Sequence, residues 1–403
     1  MRRPHLHVHM KTTARLTSHL SCTIFTALVI PLVGLTGGCS PSNSTTPPTT
    51  APSSDDSNGK PTDAAVIIYC SIDREFAEPI LADFEKSSGV RVHRQYDTEA
   101  GKTTGLVNRL LAERENPRAD VWWSSEIFGT MQLADQGILA PFRPESATEI
   151  PDRYRDSSDR WTAFGLRGRV IAYDPKRVSA ADLPKRWADL TDARFKRRFA
   201  LADPRFGTTR GHMATLYQLW GPEQLSNWYE DLRANEFRRA DGNSLAVLLV
   251  TRGTVDFAAT DTDDVIVARE RGNSIAMCFP DHDPPDGSRQ IPGSLWIPCS
   301  AGLVSGARHR SAAESLLNHI LSVETERQLA LSDSKNVPVR ASITAALDAE
   351  PGRPPFSNTF ANPDDTLPDG RAKPFPYEAK VDYAEAAAVL SASDRLVVDV
   401  LLR

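Results

Sequence analysis

The chain has 403 residues, 40% of them hydrophobic, with 47 Lys and Arg against 52 Asp and Glu. This is an ordinary globular composition, and a formal charge of −5 excludes a nucleic-acid binder that works by bulk positive charge. Beyond residue 62 lie about 340 residues, more than one hydrophobic core usually holds, so two lobes are expected.

The first fifteen residues carry Arg2, Arg3, Lys11 and Arg15 and no acid, and "CTIFTALVIPLVGLTGGCS" follows as an apolar core that ends in small residues. That layout predicts a secretory signal over residues 1–38. A spanning helix would need roughly 20 apolar residues and no Pro-Gly-Gly tail. The stretch Leu35-Thr36-Gly37-Gly38-Cys39 resembles a bacterial lipobox, with Thr36 where leucine is usual, and implies a lipidated Cys39 as the first mature residue. Residues 39–63, rich in Ser, Thr, Pro and Asp and without apolar periodicity, are expected to form a disordered tether. Removal of positions 1–38 takes away four basic residues and no acid, leaving 43 basic against 52 acidic and a formal charge of −9. An exported chain keeps Cys70, Cys278 and Cys299 in an oxidising compartment. A Cys278–Cys299 bridge would close a loop of about 20 residues and contribute ~3 kcal/mol, and three buried free thiols are the alternative.

From residue 64 strand and helix alternate. "AAVIIYC" reads as a buried strand, "REFAEPILADFEKSSG" as an amphipathic helix stopped at Gly89, and "VRVHRQY" as a second strand. "KTTGLVNRLLAERENP" gives a second helix, "ADVWWSS" a third strand and "EIFGTMQLADQG" a third helix. In such parallel layers ligands collect at the loops after the strand ends. Those loops hold Ser71 and Asp73; Thr98, Glu99 and Lys102; and Ser125 and Glu126. One ring of Trp122-Trp123 is expected in the core and the other on the cleft wall. A second set of strand ends delivers Asp203, Phe206 to Thr209, Gly242 to Ser244, and Asp261, Asp263 and Asp264. "LWIPCSAGLVSG" reads as a long strand returning to the first lobe, and "RSAAESLLNHILSVETERQLALS" as one helix. The expected fold is α/β with two lobes, residues 64–165 with 300–403 and residues 166–299, hinged near 163–168 and 296–301, with a ligand cleft between them.

Three aspartates within four positions repel one another unless a positive partner or the backbone absorbs the charge. A hard cation takes carboxylate oxygens, and Asp73, Glu99, Glu126, Asp261, Asp263 and Asp264 would supply them from both lobes. The local reading is helix capping, with Asp261 at the N-cap and Asp264 three positions on. Lys102, Arg167, Arg169 and Arg210, with the hydroxyls of Thr98, Ser125, Thr208 and Ser244, suit a small anion or zwitterion instead. Asp281-His282-Asp283 lies in a Pro/Gly-rich stretch and reads as an exposed loop. Gly101-Lys102-Thr103 has Tyr96 where a phosphate-binding loop needs glycine. No nucleophile–base spacing stands out, so an exported hydrolase working through paired carboxylates is the weakest class, and the chain is read as a non-enzyme without a cofactor.

The segments "VIIYCSIDREFAEPILADFEKSSGVRV", "YDTEAGKTTGLVNRLLAE", "ADVWWSSE", "DPRFGTTRGHMA" and "TDTDDVIVARERG", in this order, resemble the extracellular solute-binding proteins of ABC importers, in the branch of the ferric-ion-binding proteins. The resemblance spans about residues 64 to 345. It implies a two-lobed type II periplasmic-binding fold, a ligand held between the lobes, docking to a membrane permease, and ferric iron as the solute, with an organophosphonate-like metabolite as the alternative. Members of that branch hold iron with adjacent tyrosines, where this chain has Asp263-Asp264. The matching first-strand and third-strand positions offer Asp73, Ser125 and Glu126.

Overall fold

The computed structural model describes residues 65–98, 101–281, 293–362 and 381–403. The expected signal and tether, the lipidation residue Cys39, and Glu99, His282 and Asp283 lie outside the described residues.

The chain begins with β1 (Ala65–Cys70), α1 (Arg74–Ser88), β2 (Arg91–Tyr96), α2 (Thr104–Ala112), β3 (Val121–Ser124), α3 (Phe128–Asp135) and the short β4 (Leu139–Ala140). β1 pairs in parallel with β2 on one side and β3 on the other. The α1 helix buries Ala77, Ile80, Leu81 and Phe84, a stripe at helical spacing, and ends at Gly89, whose φ of 73° closes the last turn on the Glu85 carbonyl.

Two long strands, β5 (Thr162–Tyr173) and β10 (Trp296–Val304), are buried at every position, as their near-continuous apolar sequences require. They pair antiparallel with each other, and β10 also pairs with β3. Beyond β5 come β6 (Phe199–Ala202), α4 (Gly207–Ala234), β7 (Arg238–Ala240), α5 (Asn243–Thr251), β8 (Phe257–Asp261), α6 (Thr262–Glu270) and β9 (Ala276–Cys278). The sheet runs β2-β1-β3-β10-β5-β8-β6-β7, with β4 on β10 and β9 on β5. One sheet thus carries two parallel layers joined only through the crossing pair β5 and β10. A second hydrophobic core, around Trp187, Phe195, Phe199 and Phe257, fills the half beyond β5.

The C-terminal region adds α7 (Arg310–Ile320), α8 (Val323–Leu331), α9 (Ala341–Asp348), α10 (Tyr383–Ala388) and α11 (Leu390–Leu396), followed by a π-helical turn, Val397–Leu401. The single helix expected over α7 and α8 is broken in two. The Ser322 hydroxyl caps α8 by accepting from Thr325 N, which ends the first helix and starts the next. The last helices pack on α4, where Val397 and Leu401 join the second core.

Two other expectations are corrected, and of the two cysteine alternatives the free thiols hold. Trp122 and Trp123 are both fully buried, Trp122 Nε1 donating to Thr130 and Trp123 stacking on Phe164, so neither ring reaches a cleft. Cys278 and Cys299 are free thiols, as is Cys70. Asp281 is buried, not part of an exposed loop, because its carboxylate accepts from the Trp187 backbone.

Candidate functional site

The strand ends of both halves converge on a cavity of about 30 Å³, room for roughly two water-sized groups. From the first half come Asp73, Lys102 and Ser125. From the second come Asp203, the first turn of α4 with Thr208 and Thr209, Asn243 at the start of α5, and the three aspartates of α6. Arg167, projecting from β5, reaches the same space.

The aspartates are met by buried arginines. Residues 167 and 169 lie on one face of β5, since successive side chains alternate, and β5 pairs with β8 so that Arg169 stands opposite Asp261. Arg169 Nη1 lies 2.7 Å from Asp261 Oδ1, and Arg167 Nη1 lies 3.2 Å from Asp263 Oδ2. All four side chains are at most 5% exposed. The other Asp261 oxygen accepts from Thr208 Oγ1 and from Asn243 Nδ2 at 2.8 Å. Asp261 occupies the N-cap position of α6, yet its side chain makes no capping bond. The expected capping role is therefore corrected: a buried guanidinium is a stronger partner for the carboxylate than a backbone N–H.

Asp264 has no cation in contact among the described residues. Its oxygens accept from Ser244 Oγ at 3.0 Å and Thr260 Oγ1 at 2.9 Å. Burial first, then the charges of Asp263 and Asp261, hold its carboxyl well above the usual range. Burial also pushes Asp263 up to about 6, against the pull of Arg167. Across the cavity, Asp73 is desolvated but accepts a 2.5 Å bond from Lys102 Nζ, and that ammonium holds its carboxyl below the usual range. The pattern is a ring of acids and bases in which Asp264, partly exposed beside two other carboxyls, is held above its usual range.

The other expected site residues are placed as follows. Ser71 joins a buried hydroxyl cluster with Thr103, Ser124 and Ser125, and it borders, with Thr98, a small side pocket that shares Asp73 and Lys102 with the main cavity. Glu126 is not brought to the cavity. It is buried and accepts from Phe128 N at 2.6 Å and Gly129 N at 3.0 Å, capping α3, while burial pushes its carboxyl up to about 7. Arg169 sits behind Asp261, outside the cavity lining. Arg210 is drawn to Asp394 of α11 at 2.6 Å and does not serve the cavity. Ser244 faces a larger groove outside. Arg167, expected among the cations for a small anion, does line the cavity, and Asn243, expected only as part of the strand end Gly242 to Ser244, donates to Asp261.

The two halves touch directly around the cavity. Gly207 N donates to Lys102 O, and Thr104 Oγ1 to Arg205 O, both at 3.1 Å. Lys102 is presented by a γ-turn in which Thr104 N bonds Lys102 O and Thr103 takes a φ of 65°. A β-branched residue pays for that conformation with strain, which is held here by the hydroxyl cluster. Phe128 of α3 lies against Gly211 of α4 so closely that a Cβ there would stand 2.1 Å from its ring. Gly211→Ala is therefore expected to keep the halves apart. Small-angle scattering of the variant should show a larger radius of gyration than wild type, and an unchanged radius would count against this.

Residues 119–251 match the family described as bacterial extracellular solute-binding protein. The chain is 24% identical over 262 residues to an Fe(3+)-binding periplasmic protein of Serratia marcescens, covering 64% of this chain and 74% of that one. It is 28% identical over 265 residues to a putative 2-aminoethylphosphonate-binding periplasmic protein of Salmonella typhi, covering 65% and 73%. Among solved structures, the ferric binding protein from Campylobacter jejuni superposes with a TM-score of 0.69 at 20% identity, over 83% of this chain and 99% of that one. Strand ends of two joined layers meeting at a charged cavity, with these matches, give the chain the two-lobed α/β fold of the periplasmic binding proteins, and its residues 119–251 are similar to the bacterial extracellular solute-binding protein family.

Proposed function

We propose that the protein captures ferric iron together with a small anion and delivers it to the permease of an ABC importer. The observation that carries this reading is the gathering of one carboxylate oxygen each from Asp261, Asp263 and Asp264 within 4.8 Å of one another, in a cavity that Asp73 also lines. Asp73, Asp263 and Asp264 are the ligands, since these three carboxylates border the open groove as well as the cavity, while Asp261 is held behind them by Arg169, Thr208 and Asn243. A trivalent ion takes over the role of Lys102 and Arg167 as counter-charge to these acids and displaces the proton of Asp264. The released Lys102 and Arg167 then meet the anion, with the first turn of α4. The ion gains ligands from both halves only when the cleft is closed, so binding favours closure by its differential affinity for that state.

Residues 64–165 with 300–362 form one lobe and 166–299 the other, with β5 and β10 as the hinge. The helices after residue 381, lying on α4, move with the second lobe. Cys39 carries the lipid and residues 39–63 the tether, so radiolabelled palmitate enters the wild-type chain and not Cys39→Ala.

The second reading, a zwitterion such as an aminoalkylphosphonate, is favoured by Arg167 Nε, which is buried without a partner among the described residues. An ammonium would sit on Asp263 and Asp264, and a phosphonate on Lys102, Arg167 and the α4 N-terminus. Mass spectrometry of metals and small molecules carried by the purified mature chain, with calorimetric titration by Fe(III) nitrilotriacetate in carbonate or phosphate, separates the two. Iron binding enhanced by the anion is expected. A metal-free chain that tightens on a phosphonate alone would replace the iron reading.

A further inference from the structure

The inner cavity is not the whole of the cleft. It opens, through Asp73, Asp263 and Asp264, into a groove of about 640 Å³ between α1 on one side and α5 and α6 on the other. The inner space holds an ion or a few atoms, whereas the outer one has the size of a pocket for an organic molecule. Its floor is apolar, formed by Val247 and Leu248 of α5 and Val267 and Ala268 of α6, with Phe76 of α1 facing them.

A second observation bears on the same face. The α5 helix, "NSLAVLLVT", is apolar almost all round, but only Ala246, Val247 and Val250 are buried. Leu245 and Leu248 stand 38% and 37% exposed, two of the four large apolar side chains so exposed among the described residues. A helix of that composition is normally covered on every side. The charges at the rim cancel: Arg74 pairs with Glu78 at 3.2 Å, and Arg271 reaches across to Glu75 at 3.7 Å. Both pairs are exposed and weak, so they neither select a charged body nor bar its entry.

We infer that the solute is organic, or enters as an organic complex, with its charged head in the inner cavity and an apolar body along α5 and α6. With the iron reading, on which the choice of probe rests, the ion arrives as a chelate whose amphiphilic chelator remains bound in the groove. Asp73, Asp263 and Asp264 face both spaces and hold the junction between head and body.

The test is a homologous series with a constant head. Fe(III) complexes of aceto-, hexano- and octanohydroxamate, and aminoalkylphosphonates of matching chain length, are titrated into the purified mature chain, wild type and Leu248→Asp. Wild-type affinity is expected to rise about two- to fourfold per methylene in the series that binds. In Leu248→Asp the shortest member should bind as in wild type while the gain with length disappears, and Leu248→Gln repeats the measurement with a neutral side chain. Failure of the shortest iron complex alone rejects iron as the head and leaves the phosphonate series to decide on the groove. Affinity that is flat with length in both series overturns the inference.

Discussion

Asp264→Asn is expected to weaken Fe(III) binding more than a hundredfold, ~3 kcal/mol, while leaving the melting temperature of the apo protein unchanged or higher. Even groups that only hydrogen-bond to a metal's ligands are worth roughly 10–100-fold, and a direct carboxylate ligand to a trivalent ion contributes more. The fold should lose little, because Asp264 is partly exposed with no cation in contact among the described residues, and an amide can accept from one of the Ser244 and Thr260 hydroxyls and donate to the other. Asp263→Asn differs. It removes the 3.2 Å contact that orders the guanidinium of Arg167, 5% exposed, so it should displace a cavity cation as well as weaken the affinity. Calorimetry with Fe(III) nitrilotriacetate and thermal melts of both variants give the comparison. Equal iron affinity in wild type and Asp264→Asn would remove Asp264 from the ligand set.

The same groups set a pH dependence. Asp263 titrates near 6 in the folded apo protein, against about 3.9 for an unperturbed aspartate. A raised folded value gives stability that is present in acid and lost as pH rises through about 6, because there the native state holds a proton that the unfolded chain has released. The apo melting temperature should therefore fall between pH 5 and pH 7.5. Metal binding, which expels these protons, should strengthen over the same interval. Melts with and without Fe(III) nitrilotriacetate should thus diverge as pH rises, and parallel curves would show that the proton and the metal do not share these carboxylates.

Elements with strong period or unbroken apolarity were legible in the sequence: the strands β1, β2, β3 and β10, the helix α1 with its Gly89 stop, and the strand ends as the place of the site. Their signals are local, and nothing tertiary opposes them. Pairings across the sheet were not legible. That Arg169 meets Asp261 depends on the register of β5 against β8, and that Arg167 meets Asp263 depends on the turn of α6, neither of which is written in spacing along the chain. Glu126, read as a ligand, and Asp281, read as part of an exposed loop, were misplaced for one reason. A buried loop must satisfy its own N–H groups, and these two carboxylates serve Phe128, Gly129 and Trp187. Ser322 offered a cap signal within an apolar-periodic run, and the period masked it.

Arg169→Met is expected to destabilise the protein by ~3–5 kcal/mol, the range for stranding one partner of a buried ion pair. Arg169 has a side chain with no exposed surface, and its guanidinium meets Asp261, with Thr208 Oγ1 and Thr209 Oγ1 at 3.3 and 3.4 Å. Without it the Asp261 carboxylate, 2% exposed, keeps only hydroxyl and amide partners. Arg169→Met with Asp261→Leu should recover most of the loss, since two matched apolar groups leave no buried charge. Recovery of stability should not bring back solute binding. Asp261 ends β8 and ties Thr208 in the first turn of α4 to Asn243 at the start of α5, so one carboxylate gathers the beginnings of three helices around the cavity. With that carboxylate gone, the helix starts are no longer held in mutual register, and a site built from them loses its preorganisation. Urea unfolding measures the first effect and calorimetry with Fe(III) nitrilotriacetate the second. A double variant that is both stable and fully binding would show that the pair stabilises the sheet alone and that the cavity is shaped by the contacts of Lys102 and Gly207 across the cleft.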